Sequence, residues 1–217
     1  MSRALARFGE GSLLFQEFTM REPVPLAGIH QAVLEFLRGR KDAVLFGAHA
    51  VNAYVSEPRM TQDVDILALN AHELAQEIRA ELNRRFHIAV RVRRIKGGVG
   101  FRIFQLQKPR NRHFVDVRPV TELPPTQRLA QIMVVAPAEL IAAKVRSAHG
   151  RRGQAKEFTD WRDLAVLLQT FPNLKKRHGA VRERLLAAGA DEALLALWDE
   201  VVARKFRPAD DDSEFNG

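Results

Sequence analysis

Two acidic residues, Asp63 and Asp65, are separated by a single valine. On a β-strand, side chains at positions i and i+2 leave the same face, so these carboxylates are expected to lie side by side. Like charges at that separation repel each other unless a cation neutralises them or one group is protonated. Mg2+ prefers oxygen ligands of this kind and usually bridges carboxylates to substrate phosphates. The pair therefore predicts a magnesium site, and two solvated acids on an exposed strand edge are the alternative.

The segment before these acids has the pattern of a phosphate-binding turn. A hydrophobic strand over Ala43 to Phe46 is followed by Gly47-Ala48 and by an apolar helix over His49 to Val55. A glycine at the start of a helix lets backbone N–H groups approach a phosphate, and the helix dipole favours negative charge there. Arg59 and Thr61 then lead into the acidic strand. Strand, turn, helix and acids together predict one pocket.

A third acid, Asp116, lies among hydrophobic residues in the strand His113 to Val117, where by itself it could equally be an ordinary strand-end acid. No acidic residue occurs between Glu81 and Asp116. A stretch of one charge sign this long favours a phosphate-backbone surface, RNA first, over a face paired with acids elsewhere or with an acidic partner protein. The residues predicted to contact nucleic acid are Arg91, Arg93, Arg94, Lys96, Arg102, Lys108, Arg110 and Arg112.

The composition supports a polyanionic partner. The 217 residues carry a net charge of +8 and a sequence pI near 10.4, and their 46% hydrophobic content can fill a core. The chain has no cysteine, which excludes disulfides and thiolate metal sites and agrees with a reducing cytosol. No apolar run approaches the roughly 20 residues needed to span a bilayer. A cytoplasmic protein without a membrane segment is expected.

The run Leu45-Phe46-Gly47-Ala48-His49-Ala50, followed by Arg59-Met60-Thr61-Gln62-Asp63-Val64-Asp65-Ile66, resembles the glycine and T-x-D-x-D signature of DNA polymerase beta-like nucleotidyltransferases. Within that superfamily the chain resembles the AbiEii toxins of type IV toxin–antitoxin pairs. The resemblance implies transfer of a nucleotide from an NTP, with two Mg2+ ions held by the two acids and a third. It places the third acid in a hydrophobic–Asp–hydrophobic strand, which here is that of Asp116, and makes this residue activate the incoming hydroxyl.

The AbiEii type also carries a helix with a functional lysine and then a helix with a K-D-x-x-D-L-like run. The matching segments are Glu139 to Lys144 and Thr159-Asp160-Trp161-Arg162-Asp163-Leu164. The resemblance implies that Lys144 reaches the nucleotide phosphates and that Asp160 orients it or takes part in the cleft. A surface lysine and a helix N-terminal acid are the alternative, and Asp163 is expected to be a structural salt-bridge partner. The implied nucleotide-binding residues are Gly47, Ala48, Arg59, Thr61 and Lys144.

The fold expected from these elements is α/β (α+β), with a small mixed sheet flanked by helices and followed by a C-terminal helical bundle. The expected divisions are an N-terminal arm over residues 1–24, a nucleotidyltransferase domain over 25–122, a helical domain over 123–208 and a disordered acidic tail over 209–217. Gly97-Gly98 is expected to be a hairpin turn because no helix follows it. A helix over Lys156 to Phe171 is expected to present Phe158, Trp161, Ala165 and Leu168 on one apolar stripe.

The function expected from the sequence is Mg2+-dependent transfer of a nucleoside monophosphate from an NTP to an acceptor. The basic stretch favours an RNA acceptor such as the 3′ end of a tRNA, with a protein hydroxyl as the alternative acceptor. The resemblance implies a toxin with a cognate antitoxin partner. A non-catalytic RNA-binding or partner-binding module on the same fold is the alternative. Two departures leave it open: Ala48 removes a hydroxyl contact to phosphate, and Thr159 replaces a basic residue.

Overall fold

The computed structural model of the chain describes residues 24–95 and 100–206. Outside this range lie residues 1–23 of the expected arm, Lys96, the expected Gly97-Gly98 turn and the acidic tail. In the described part, seven strands form one mixed sheet in the order β3-β4-β5-β2-β1-β7-β6. The strands are β1 (Ala43–Phe46), β2 (Val64–Ala68), β3 (Val90–Arg94), β4 (Phe101–Gln105), β5 (Arg112–Pro119), β6 (Thr126–Leu129) and β7 (Ile132–Val135).

Helices cover the sheet and build the C-terminal part of the described chain. They are α1 (Leu26–Leu37), α2 (Gly47–Tyr54), α3 (Ala71–Phe86), α4 (Pro137–Gly150), α5 (Ala155–Thr170), α6 (Ala180–Ala187) and α7 (Glu192–Ala203). Helix α3 packs on β2 to β5, whereas α5, α6 and α7 pack on α4. None of the helices described here is both long and apolar enough to cross a membrane. The expected mixed sheet with a C-terminal helical bundle is confirmed.

The two faces of strand β2 have different surroundings, one in the hydrophobic core and the other on the polar side of the sheet. Val64 and Ile66 are fully buried, and Asp65 between them leaves from the opposite face. On the parallel neighbour β5, Val115 and Val117 lie opposite those core residues and are also fully buried. The alternation of apolar and acidic residues in the sequence therefore becomes two faces, one packed and one presenting carboxylates.

The expectation that only helices follow residue 122 is wrong. Strands β6 and β7 form a hairpin, and β7 joins the sheet beside β1, with Leu45 opposite Val134. The hairpin turns at Ala130 and Gln131, whose φ angles are 44° and 69°. Such turns normally use Asn or Gly, which adopt positive φ more easily. Without that signal, the sequence pattern did not reveal the hairpin.

Helix α5 buries only part of the expected apolar stripe, and it buries two acids beside it. Phe158, expected on the apolar stripe, is 75% exposed, whereas Asp160 and Asp163 are buried. Leu168 of the expected stripe is buried, and Leu164 and Leu167 pack inward with it. A hydrophobicity pattern assigns acids to solvent, but acids that are paired with cations can be buried.

Candidate active site

The parallel pairing of β2 with β5 brings two of the expected acids together. Asp65 lies directly opposite Asp116 in this pairing. Adjacent strands of a sheet are about 4.8 Å apart, and paired residues share a face, so the two carboxylates are neighbours. Asp63 precedes β2 by one residue and lines the same cavity as the other two acids.

A cavity of about 500 Å3 covers these acids, between the sheet and helices α4 and α5. The residues expected from the sequence that line it are Gly47, Ala48, Arg59, Thr61, Asp63, Asp65, Asp116, Lys144 and Asp160. The cavity wall also includes basic and hydroxyl residues that the sequence patterns did not assign to the pocket, namely Arg102, Arg118, Ser147, Arg151, Lys156 and Thr159. The expected catalytic and nucleotide-binding residues therefore surround one space.

Gly47 packs directly against Asp65. The last residue of β1, Phe46, pairs with Asp65, so the next residue begins α2 beside the carboxylate. Gly47 has φ +68°, and a Cβ atom there would lie 2.2 Å from Asp65 Oδ2. Both the backbone conformation and the space therefore require glycine. This contact places the N-terminus of α2 next to the acidic pair.

Asp65 lies in an environment that disfavours its negative charge. Burial is the main cause, and the neighbouring carboxylates of Asp63 and Asp116 add to it, so that the pKa of Asp65 rises to about 6. The positive charges of Arg118 and Lys144 partly oppose this rise. A cation bound beside Asp65 would relieve the repulsion, and carboxylate oxygens are the ligands that Mg2+ prefers.

The third acid is engaged by an arginine. Arg102 lies opposite Asp116 in the antiparallel pairing of β4 with β5. Its Nε donates to Asp116 Oδ1 at 2.7 Å, and its Nη2 donates to Oδ2 at 2.6 Å. In the described ranges, no group of three or more His, Cys, Asp or Glu side chains is arranged to hold a metal ion. The donor chemistry of the three acids fits Mg2+, and Arg102 takes both oxygens of one of them.

Asp163 connects the loop before β2 to the lysine of α4. It is fully buried and accepts hydrogen bonds from Arg59 Nε at 2.8 Å and from Arg59 Nη2 at 2.9 Å. Lys144 Nζ lies 2.7 Å from its Oδ2. Burial by itself would raise the pKa of Asp163, but the hydrogen bonds from Arg59 and the charge of Lys144 outweigh burial and lower that pKa. Asp163 is therefore the salt-bridge partner that the sequence led us to expect, and it fixes the positions of Arg59 and Lys144 at the cavity wall.

Lys144 is closer to Asp163 than to Asp160, the residue expected to orient it. The distance from Lys144 Nζ to Asp160 Oδ1 is 3.4 Å, and Arg151 Nη1 donates to Asp160 Oδ2 at 2.8 Å. Asp160 therefore holds Arg151 as well as Lys144 at the cavity wall. No sequence pattern indicates this role for Arg151, since the pairing depends on how α4 and α5 pack.

The loop between α2 and β2 is fixed by side-chain hydrogen bonds. Asn52 Nδ2 donates to the Arg59 carbonyl at 2.8 Å, and the Arg59 N–H donates to Asn52 Oδ1 at 3.1 Å. Thr61 Oγ1 donates to the Asp63 carbonyl at 3.2 Å. Thr61 thus shapes the backbone beside the acids, and Arg59, whose guanidinium is bound to Asp163, closes one side of the cavity.

The basic residues expected to bind nucleic acid are distributed over two regions and not over one surface. Arg93, Arg94 and Arg102 surround a smaller cavity of about 340 Å3, and Arg91 is exposed on the same edge strand, β3. Lys108 and Arg110 are exposed in the loop beyond the other end of β4. Arg112 is half-buried, donates to the Val24 carbonyl at 2.6 Å and contributes to packing instead. Lys96 lies outside the described residues.

A helix that begins at a glycine beside paired aspartates, with a lysine in the same cavity, is the arrangement that the sequence resemblance to nucleotidyltransferases leads one to expect. The chain belongs to the AbiEii family, described as nucleotidyl transferase AbiEii toxin of the type IV toxin–antitoxin system, whose pattern matches residues 32–215. The protein is therefore an NTP-dependent nucleotidyltransferase, and the family membership favours the enzyme over the non-catalytic module.

Solved structures share this fold. The Megavirus polyadenylate synthase is similar at a TM-score of 0.57 and 14% identity, over 78% of this chain and 37% of the synthase, so the chain spans well under half of that protein. A candidate nucleotidyltransferase from H. pylori is similar at a TM-score of 0.50 and 13% identity, over 82% of this chain and 88% of the other. At such identities the likeness shows the fold alone. No curated protein matches the chain.

Proposed function

We propose that this enzyme transfers a nucleoside monophosphate from an NTP to the 3′ hydroxyl of an RNA, with Mg2+ as cofactor. A tRNA is the favoured acceptor. The observation that carries the proposal is the pairing of Asp65 with Asp116 on parallel strands, directly against the glycine that begins α2. Paired carboxylates beside a helix N-terminus suit the binding of a cation together with a phosphate chain.

The triphosphate binds between α2 and α4. Backbone N–H groups at the start of α2 donate to phosphate oxygens, and Lys144 supplies a positive charge from the opposite wall of the cavity. Asp63, Asp65 and Asp116 are the residues that would hold Mg2+. When bound, the cation would neutralise phosphate charge and lower the pKa of a coordinated hydroxyl.

The transfer step exchanges one P–O bond for another. The acceptor hydroxyl oxygen attacks the α-phosphorus, and the bond from that phosphorus to the oxygen bridging the α- and β-phosphates breaks. The bridging oxygen keeps the electron pair and leaves as part of pyrophosphate. Asp116 takes the proton of the acceptor hydroxyl, because it lies beside Asp65 in the pocket and a carboxylate can serve as a general base.

The nucleoside part of the NTP has a compartment of suitable size. A second cavity of about 390 Å3 shares the walls Phe46, Arg118, Leu140, Ala143 and Ser147 with the first. The Arg118 guanidinium lies 5.2 Å from the centre of the Phe46 ring. Apolar walls with one aromatic ring and a few polar groups suit a planar base and its sugar.

The charge of the chain supports an RNA acceptor. The enzyme carries a net charge of +8, and the exposed arginines Arg91, Arg93 and Arg94 lie on the edge strand, which leads across β4 to Asp116. Phosphates of a nucleic acid are the natural counterions for such a face. The membership of a toxin family further supports a role as a toxin with a cognate antitoxin partner.

The test is label transfer from NTPs to RNA. The purified enzyme is incubated with Mg2+, total RNA and each of the four NTPs labelled at the α-phosphate. We expect label to move onto RNA of tRNA size, and we expect Asp65→Asn to lose this transfer. The matched control is Glu183→Gln, which removes an exposed acid on α6 and should keep it. RNA binding by the wild type without any label transfer would contradict the proposal, as would equal transfer by Asp65→Asn.

A further inference from the structure

Arg102 binds Asp116, the acid that takes the proton of the acceptor hydroxyl in the proposed function. Its guanidinium makes two parallel hydrogen bonds to Asp116, at 2.7 and 2.6 Å. The side chain of Asp116 is only 5% exposed, whereas that of Arg102 is 27% exposed. Arg102 therefore covers the carboxylate from the solvent side. While this contact persists, each oxygen of Asp116 accepts a hydrogen bond from a cationic guanidinium, whose positive charge disfavours the approach of a metal cation.

Four residues form one row across the sheet from its edge to its centre. Arg93 on β3 lies opposite Arg102 on β4, Arg102 lies opposite Asp116 on β5, and Asp116 lies opposite Asp65 on β2. Residues directly opposite each other leave the same face, at about 4.8 Å from strand to strand. Arg93 at the outer end of the row is exposed. A polyanion that approaches from this edge meets Arg93 first and Arg102 next.

A phosphate group can compete with the carboxylate of Asp116 for the guanidinium of Arg102. The guanidinium fork matches the oxygens of a phosphate as well as those of a carboxylate, and both contacts are bidentate. A phosphodiester placed beside Arg102 would also bring its negative charge close to Asp116, which favours separation of the two anions. The exposed side of Arg102 already lines the cavity that Arg93 and Arg94 share with it.

We propose that Arg102 is a positioning residue that controls Asp116: when the acceptor binds, Arg102 releases Asp116, which then joins Asp63 and Asp65 as the third available carboxylate. In the free enzyme it shields Asp116, and a phosphodiester next to the acceptor hydroxyl draws it away and frees both carboxylate oxygens. The inference rests on the proposed function and narrows its substrate class. The acceptor carries a phosphate beside its reactive hydroxyl, as the 3′ end of an RNA does, and small alcohols without a phosphate do not release Arg102.

The test measures metal affinity without any NTP, so that no turnover is needed. Mn2+ serves as the probe, and its binding to the full chain is followed by electron paramagnetic resonance with and without a short oligoribonucleotide that ends in a 3′ hydroxyl. We expect the oligoribonucleotide to raise the Mn2+ affinity of the wild type by about tenfold, a usual size for coupling between two ligands. A free nucleoside, which has no phosphate, should leave that affinity unchanged.

The Arg102→Gln variant separates this coupling from a merely structural ion pair. We expect it to bind Mn2+ as tightly without RNA as the wild type does with RNA, and to gain nothing further when RNA is added. Arg128→Gln removes an exposed arginine from β6, the opposite edge strand, and should behave like the wild type. If RNA raises the Mn2+ affinity of Arg102→Gln as much as that of the wild type, or if the variant alone binds Mn2+ no more tightly, the inference is wrong.

A second variant guards against a folding defect. Arg102→Lys keeps the charge but loses the fork, so its hold on Asp116 is weaker and its Mn2+ affinity without RNA should exceed that of the wild type. Unchanged affinity in a folded Arg102→Lys protein would also overturn the inference. Failure of the proposed function would show itself separately, as absent label transfer in the presence of NTP and RNA.

Discussion

Asp65 combines partial burial with two neighbouring carboxylates, and its raised pKa makes stability depend on pH. In the unfolded chain the group titrates near 3.8, and in the folded protein its pKa is about 6. Since the folded value is the higher, the folded state binds the proton more tightly. Any stability that protonation of Asp65 contributes is therefore complete below about pH 4 and is lost as the pH rises through about 6.

Replacement of Asp65 by asparagine, which has a similar shape and no charge, should remove this loss of stability at higher pH. We expect the free energy of unfolding of Asp65→Asn, relative to the wild type, to increase by on the order of 2 kcal/mol between pH 4 and pH 8. Urea unfolding at a series of pH values measures this difference. A difference that stays constant with pH, or that favours the wild type at pH 8, would show that the carboxylate is not strained by its neighbours.

Gly47 tests the contact between the start of α2 and the acid. Gly47→Ala would place a methyl group 2.2 Å from Asp65 Oδ2, so the carboxylate must move, and we expect kcat/KM to fall by about a hundredfold or more. Gly189→Ala is the control, because Gly189 has a similar φ of +76° with no atom within 4 Å of the added Cβ. Steady-state kinetics should show near-normal activity for the control. Equal losses in both variants would assign the effect to backbone strain alone.

The residues of the pocket were predictable because their spacing along the chain encodes their placement. The alternation Asp63-Val64-Asp65-Ile66 requires one face for the acids and one for the core, and the structure has both. The partners of the pocket residues were not predictable. Whether Arg102 faces solvent or Asp116 depends on the register of β4 against β5, which no local pattern specifies.

At the scale of elements, α5 is fixed to the sheet domain by charged groups. Its buried Asp163 holds Arg59 from the loop before β2 and Lys144 from α4. Removal of one member of a buried ionic cluster leaves the others without compensation. The contact explains how the helix can bury an acid in addition to its apolar side chains.

Asp163→Asn should therefore destabilise the fold strongly. We expect a loss of about 3 kcal/mol in the free energy of unfolding, measured by urea denaturation at pH 7. The control is Asp199→Asn, which breaks the partly exposed pair with Arg182 at 3.2 Å and should lower stability by less than about 1 kcal/mol. Similar values for the two variants would mean that the Asp163 cluster contributes no more than a surface pair.

The β6–β7 hairpin is an element that local sequence patterns do not predict. Its strands have four residues each, and its turn at Ala130-Gln131 contains neither glycine nor asparagine. The parallel pairing of β7 with β1 is a long-range contact. By contrast, a long periodic element such as α3 suits prediction from a local pattern, because Leu74, Ile78 and Leu82 recur at helical spacing over its 16 residues and are all buried.

For the whole molecule, the uneven distribution of charge should govern RNA binding. Removal of an arginine that binds a phosphate weakens RNA binding and makes it less dependent on salt, so both effects are expected when Arg93→Gln and Arg94→Gln are combined. The slope of log K against log salt should fall in magnitude by about 1 to 2. Filter binding at several salt concentrations measures it. The double control Arg177→Gln and Arg184→Gln, which changes exposed arginines of the C-terminal part, should keep the wild-type slope.

If Asp65 and Asp116, brought together by parallel strands beside Gly47, support transfer at the α-phosphorus of an NTP, the α-phosphate reaches the acceptor and the terminal phosphate does not. The most direct measurement follows α-labelled and γ-labelled NTP in parallel reactions with the same RNA. We expect the α-label on the acceptor and the γ-label in pyrophosphate, and neither product with a folded Asp116→Asn protein. Appearance of the γ-label on the acceptor, or undiminished α-label transfer by Asp116→Asn, would contradict the account.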